Sequence, residues 1–556
     1  MSAAAIVAAG VGLIPSAAQA ADPVKHDGRG ISAPDVDLAK AVKSSNVQKF
    51  SSPAEKSVRR SLPAAKAKGA TSLQAEGASV PNPNLALVLN AQSISAHGIG
   101  LGTEIISETT PLKLTIDWGD GKIEAFDAPD ASQYQQYHEH VYAELGEYNV
   151  TITVTDINNA ADVYNVLPVS TAGSDFTPYA PTRLLDTRDG TGVPKGKVAG
   201  RGTTRVKIAG NGGIPEGVTA VALNVTVTNT LGNGYITAFP EGGKQPTSSN
   251  VNFVAGQSVP NMVIVPVGKN GYVDLFNGGW ESVDVIADVT GYFTKSASSG
   301  YTPMTPSRFV DTREGLGTAK GQLAGRGSFT TQIGGLRSVP QGIKAVALNV
   351  TVTNPQQSGH LAVYPGGGPV PASSNLNFTA GQTIANSVIV PVSADGKISV
   401  FNGAWAATDV VVDVVGYYSP GSTGAFMPID PQRMFDTREP NTPFSGALPG
   451  RHYIPAGLSY EEPSISGFVL NTTVTNTNGN GYLVVAPDPN TVEQYENGTA
   501  VPPQAPNSSN LNWTRGATVP NLVQASTGTT GIIDFFNQGW EQTDLVVDVF
   551  GFYDTK

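Results

Sequence analysis

One string of residues constrains this chain more than any other. Arg183-Leu184-Leu185-Asp186-Thr187-Arg188 returns as Arg308-Phe309-Val310-Asp311-Thr312-Arg313 and again as Arg433-Met434-Phe435-Asp436-Thr437-Arg438, each 125 residues after the last. Other strings keep step with it. The run Leu223 to Asn229 recurs from Leu348 and from Leu470, Ser248-Ser249-Asn250 at Ser373 and Ser508, and Phe276 to Trp280 at Phe401 to Trp405 and Phe536 to Trp540. Each copy closes on an Asp-Val-x-Gly-aromatic-aromatic tail, Asp288 to Phe293, Asp413 to Tyr418 and Asp548 to Tyr553. A period this long is a tandem array of domains, because a unit of about 120 residues buries a core of its own, whereas solenoid slices are far shorter. The copies span 176–295, 301–419 and 425–556.

Within a copy, about eight β-branched runs alternate with Gly, Pro and Asn turns, which predicts a β-sandwich or jelly roll. Val221, Leu223, Val225 and Val227 share one strand face, and Ala222, Asn224, Thr226 and Thr228 the other. That alternation predicts one face on the core and one in water. Pro266 and Pro391 interrupt apolar runs, which puts those strands at an edge or a bulge. The third copy has Ser526 there and 13 more residues between Asn476 and Ser508, so it is the most diverged. Ser/Gly stretches, Ser296 to Gly300 and Ser419 to Gly424, join the units and predict a semi-flexible rod of beads.

Composition agrees. The 556 residues include 63 Gly and 40 Pro, and only 14% are charged, which suits many short strands and turns and not long surface helices. With no cysteine, thiol nucleophiles, disulfide frameworks and zinc ribbons are excluded. A net charge of −11 argues against nucleic acid as a partner.

Residues 1–20 are free of charge and end in Ala18-Gln19-Ala20, the apolar stretch and small-residue cleavage site of a secretory signal peptide, although no Lys or Arg precedes Lys25. No stretch is long enough to predict a transmembrane segment. No sortase-type signal follows Tyr553, so any surface attachment is expected to be non-covalent. Residues 21–81 carry ten Lys or Arg against six acids and a single aromatic, Phe50, the composition of a disordered basic linker, either a solvated spacer or an arm for anionic polymer.

Residues 82–172 predict a smaller sandwich. Trp118-Gly119-Asp120-Gly121 is a turn, and Val150, Ile152 and Val154 alternate with threonines. With His140-Val141-Tyr142, Gly146-Glu147-Tyr148 and the strand ending at Asp156, this segment resembles the PKD family. The resemblance implies an immunoglobulin-like, extracellular spacer or binding module, with His140 matching the family's structural histidine. His138 and His140 would share a strand face, but two imidazoles fall short of a structural zinc set. The three copies resemble the LDTR-containing repeats of secreted actinobacterial proteins, which points to location more than to activity. The fold class expected overall is all-β and multidomain, one immunoglobulin-like sandwich followed by three tandem sandwich or jelly-roll repeats.

Two sets of residues are candidates for chemistry. Arg183, Asp186 and Arg188, with Arg308, Asp311, Arg313 and Arg433, Asp436, Arg438, form either a sugar or carboxylate clamp or a structural ion pair pinning the first strand to the closing strand through Asp288, Asp413 and Asp548. Period-2 geometry puts Asp186 and Arg188 on one side and Arg183 on the other. Asn277 and Trp280, Asn402 and Trp405, and Asn537 and Trp540 sit near hairpin tips. An indole face covers the C–H face of a sugar and an Asn amide serves its hydroxyls, so these six residues are candidate ligand-binding positions. The competing reading folds each Trp over the sandwich end as a lid.

None of the six histidines (His26, His97, His138, His140, His360, His452) recurs at an equivalent position, and no nucleophile elbow, HExxH helix or P-loop occurs. The expectation is therefore a secreted, non-catalytic cell-surface or matrix protein without cofactor or metal. It would bind extracellular polysaccharide or cell-wall polymer, or other surface proteins. The alternatives are a polymer-degrading hydrolase or its accessory module, and a pure spacer.

Overall fold

The computed structural model of the protein describes residues 25–28, 31, 48–61, 82–156, 158 and 161–556. The leader expected over residues 1–20 lies outside them. The described chain is almost wholly β and forms four sandwiches.

In the first repeat the inner sheet runs in the order Asp175–Asp186, Asp284–Thr294, Val218–Thr228, Val259–Pro266. The outer sheet runs Thr203–Lys207, Tyr272–Asn277, Gly234–Pro240, Val251–Phe253. All pairings are antiparallel, and the other two repeats keep the same order. Val259–Pro266 lies at a sheet edge, where the N–H that Pro266 lacks breaks no ladder. Each repeat has its own apolar core between its sheets, built on Val221, Leu223, Val225 and Leu275 in the first and on equivalent residues in the others.

The expected rod is not what forms. The face carrying Ala222, Asn224 and Thr226 is buried, because the three inner sheets pack against one another. Asn224 of the first repeat donates to Ser374 O of the second at 2.7 Å, Asn349 of the second to Ser509 O of the third, and Asn471 of the third to Ser249 O of the first at 2.7 Å. The edge strands Val259–Pro266, Ile384–Pro391 and Val519–Ser526 contact one another pairwise. The repeats thus close a ring with pseudo-threefold symmetry, head to tail in the manner of a cyclic trimer. Three separately cored modules remain, joined by a further shared core of Phe176, Phe293, Tyr301, Tyr418, Phe426 and Tyr553 with small aliphatic residues of all three inner sheets.

That shared core explains the repeated tail. The last aromatic of each copy, Phe293, Tyr418 or Tyr553, points to the axis, and Tyr418 and Tyr553 hydrogen-bond through their hydroxyls at 2.7 Å. The glycine two residues earlier lets an aromatic ring lie flat on the strand. A Cβ at Gly291, Gly416 or Gly551 would stand 2.0, 2.1 or 2.4 Å from Phe176, Tyr301 or Phe426. Alternation had assigned this face to water because period 2 cannot tell a solvated small-polar face from one that packs on a copy of itself.

The N-terminal sandwich pairs the sheet Val58–Ser61, Ala161–Ser170, Glu147–Asp156, Leu112–Asp117, Ile123–Ala128 with the sheet Lys49–Ser52, Ala86–Ser93, Gly98–Ile106, Gln135–Val141. Two of these strands come from the span 21–81 expected to be a disordered linker, and the sandwich therefore begins at Lys49. The polar segment needs no core of its own. It adds edge strands to sheets whose core already exists, Phe50 packs on that core, and Ser52 Oγ donates to Asn165 at 2.8 Å. Further upstream, Lys25–His26 pairs in parallel with the edge of the third repeat's outer sheet. The sandwich also docks on the chain's end, with Ala96 N donating to Asp554 at 2.9 Å and His97 N to Lys556 O at 2.9 Å.

Candidate functional site

The Arg-Asp-Thr-Arg motif is consumed by structure in each repeat. Arg183 Nε meets Asp288 Oδ1 at 2.9 Å, its Nη1 meets Asp186 at 3.0 Å, and Arg188 Nη2 meets the same carboxylate at 2.7 Å. Arg183 is not on the opposite side from Asp186. A register shift between Arg183 and Leu185, a β-bulge, turns the strand so that all three charges converge while Leu184 and Leu185 are both buried. Thr187 completes the knot by donating to Asp284 at 2.8 Å and accepting from Val285 N. The second and third repeats repeat it, with Arg308 on Asp413 at 2.9 Å, Arg433 on Asp548 at 2.6 Å, Arg313 on Asp311 and Arg438 on Asp436 at 2.6 Å. The Arg188 hydrogen bond holds the Asp186 carboxyl below its ordinary range, whereas burial pushes Asp288 up against the pull of Arg183.

The asparagines of the Phe-Asn-x-x-Trp element are buried and carry no free polar group for a ligand. Asn277 Nδ2 donates to the carbonyls of Val198, Ala199 and Glu281, and its Oδ1 accepts from Gly279 N at 2.9 Å. Asn402 and Asn537 make equivalent bonds. Their task is to fold the connection after Tyr272–Asn277 into a fixed loop, and this corrects their place among the candidate ligand contacts.

That loop lifts the tryptophan outward. Trp280, Trp405 and Trp540 are 84%, 82% and 67% exposed, so none of them is a lid. Alongside each stands an arginine that pattern reading passed over. Arg201 sits with its guanidinium 5.0 Å from the Phe276 ring centroid and 5.7 Å from that of Trp280; Arg326 lies 5.4 Å from Trp405, and Arg451 5.5 Å from Trp540. Cation–π attraction of this kind contributes about 0.5–1 kcal/mol at exposed sites.

These arginines have φ of +59°, +59° and +60°, the left-handed region that normally favours glycine, and their N–H groups reach the tryptophan loop at Gly279 O, Ala404 O and Gly539 O. The preceding glycine is required by close approach. A Cβ at Gly200 would lie 2.0 Å from Trp280 O. The signal was present in the sequence as Gly-Arg at 200–201, 325–326 and 450–451, spaced like the motif.

The three sites are not identical. Glu281 and Glu541 follow Trp280 and Trp540, whereas Ala406 follows Trp405. Beside the loop stands Tyr235 in the first repeat and Tyr482 in the third, but His360 in the second. In the N-terminal sandwich, His140 stacks on Trp118 at 4.6 Å and bonds Asp120 at 2.9 Å, while His138 bonds Gln136 and packs on Phe126. Both histidines are occupied by their own sandwich.

No family model matches the chain, and no curated protein matches it. Among solved structures it is similar to carbohydrate-binding modules of the β-sandwich superfamily, at 14% identity and a TM-score of 0.16 over 36% of this chain and 93% of that one. It is also similar to a triple jelly roll protein of an archaeal virus turret, at 8% identity and 0.15 over 68% and 89%. A third similar structure is the M60 catalytic domain with two CBM51 domains from Clostridium perfringens ZmpB, at 9% identity and 0.13 over 87% and 56%.

Proposed function

We propose that this chain is a secreted, non-catalytic protein that binds polysaccharide through three tryptophan platforms, one on each repeat. The observation that carries the reading is the exposure of Trp280, Trp405 and Trp540, each held out by a rigid loop and an arginine. An exposed indole offers a flat apolar face, and the C–H face of a sugar ring is a partner whose shape and chemistry match it. The ring relates the platforms by rotation about one axis, so they present related but not identical surfaces in three directions. Sites of modest affinity on one rigid body gain avidity on a polymer by a factor of about 10²–10⁴. The N-terminal sandwich serves as a PKD-like spacer, and the extracellular surface or matrix is where such a polymer would be met.

The test is a pull-down of the full chain on insoluble cell-wall polysaccharide and a glycan panel, with Trp280→Ala, Trp405→Ala and Trp540→Ala combined. Loss of binding with an unchanged melting profile supports the platforms. Binding that survives all three substitutions, or release of soluble sugar by the purified protein, overturns the proposal.

A further inference from the structure

Resting on the platform reading, we infer that the second repeat's site selects sugars that carry a carboxylate. Arg326 is the reason. Its guanidinium is held 5.0 Å from Phe401 and 5.4 Å from Trp405, and Nη1 donates to Gly403 O at 3.2 Å. Among the described residues no carboxylate forms an ion pair with it, although Arg308 and Arg313 in the same repeat both grip aspartates. A guanidinium has five N–H donors in a planar fork that matches a carboxylate. Placing that residue in the left-handed region in every repeat, where glycine would fit without strain, marks the side chain as needed.

The second site differs from its relatives by one negative charge fewer on the hairpin, and His360 adds no positive charge there, because burial and the neighbouring Arg326 push its imidazole toward the neutral form. Glu281 and Glu541 follow Trp280 and Trp540 on the hairpin, their stems against Gly232 and Gly479, and Ala406 leaves the equivalent place after Trp405 neutral. His360 stands against the same loop, where a Cβ at Gly403 would lie 2.2 Å from its ring. A sugar ring resting on the open indole brings an exocyclic carboxylate toward the Arg326 fork with no acid of the hairpin opposing it. The chain as a whole is at −11, so its general field gives a polyanion no advantage, and any preference has to arise locally.

The experiment measures binding of the full chain to polygalacturonate and to its fully methyl-esterified, neutral form by tryptophan fluorescence and calorimetry. A glycerol-phosphate polymer serves as a second anion. The wild type is expected to prefer polygalacturonate. Arg326→Gln and, separately, Ala406→Glu are expected to weaken polygalacturonate binding about tenfold while changing the ester less than about twofold. Arg201→Gln is expected to have a smaller effect. Equal affinity for both polymers, absence of binding to either, a preference for the phosphate polymer, or an Arg326→Gln effect equal on both overturns the carboxylate selectivity. In the last case Arg326 only props the indole and the platform reading stands. Trp405→Ala leaving the preference for polygalacturonate intact overturns the selectivity assigned to this site, while the platform reading is judged separately by the triple tryptophan variant. Ala406→Glu keeps the main-chain carbonyl that accepts from Asn402 and leaves Arg326 in place, so its result does not depend on the fold tolerating loss of Arg326.

Discussion

Asn224 donates its side-chain amide to the carbonyl of Ser374 in the next repeat at 2.7 Å, and its own Oδ1 accepts from Asn386 Nδ2 at 3.3 Å. Both partners belong to the neighbouring module and all three residues are buried or nearly so. Asn224→Leu removes a donor and an acceptor at once and leaves Ser374 O without its partner, an expected loss of about 1–3 kcal/mol. Differential scanning calorimetry checks it. The wild-type repeats are expected to melt as one cooperative unit because they share a core, with the variant melting lower. Three independent transitions in the wild type would contradict the ring.

The Arg308–Asp413 pair is the most enclosed of the three cross-strand pairs, its side chains 9% and 0% exposed. Removing one partner strands a buried charge, so Arg308→Met is expected to cost about 3–5 kcal/mol. Arg308→Met with Asp413→Leu is expected to recover most of that loss, since apolar replacement of both partners is far less costly. Urea midpoints of the two variants decide it, and equal midpoints would refute the role given to the pair.

How far the sequence carries depends on whether a residue's role is set by its own repeat. The all-β sandwich fold was legible, and so was the placing of Pro266 at an edge or a bulge, which the structure resolves to an edge, because period-2 alternation and turn residues are local signals. Arg183 was misplaced because a single bulge reverses which side a strand residue faces. Asn224 looked wet because the surface that covers it belongs to another copy, which no single-strand pattern encodes. Phe50 and Lys49 looked disordered because an edge strand borrows its core from the sheet it joins. At the candidate site Trp280 was legible by recurrence but its exposure was not, and Asn277 was assigned to ligand although its hydrogen bonds are all spent on Val198, Ala199, Glu281 and Gly279.

Asp175 opens the first repeat and accepts from Ser298 N at 2.8 Å, and burial pushes its carboxyl up to about 6. With an unfolded value near 3.9, the folded state holds the proton longer, so stability is full below about pH 4 and declines as pH rises to about 6. Asp175→Asn abolishes that decline. The variant is expected to be more stable than the wild type at pH 7.5, by up to about 3 kcal/mol, and no more stable at pH 3.5. Melting temperatures at the two pH values test it, and a gain at low pH instead would reverse the sign of the argument.

Trp118 and Trp405 make opposite demands on the fold. Trp118 is 0% exposed, stacked on His140 at 4.6 Å, with its carbonyl accepting from Tyr142 Oη at 3.0 Å, so Trp118→Ala opens a cavity in the N-terminal core. The expected cost is about 3–5 kcal/mol. Trp405 is 82% exposed and touches its own repeat chiefly through Arg326, so its removal forfeits about 0.5–1 kcal/mol of cation–π attraction and leaves no cavity. Thermal melts of the two single variants should therefore separate clearly, with Trp405→Ala close to the wild type. If Trp405→Ala destabilised the protein as strongly as Trp118→Ala, the indole would be serving the fold after all, and its exposure would lose its claim to a ligand.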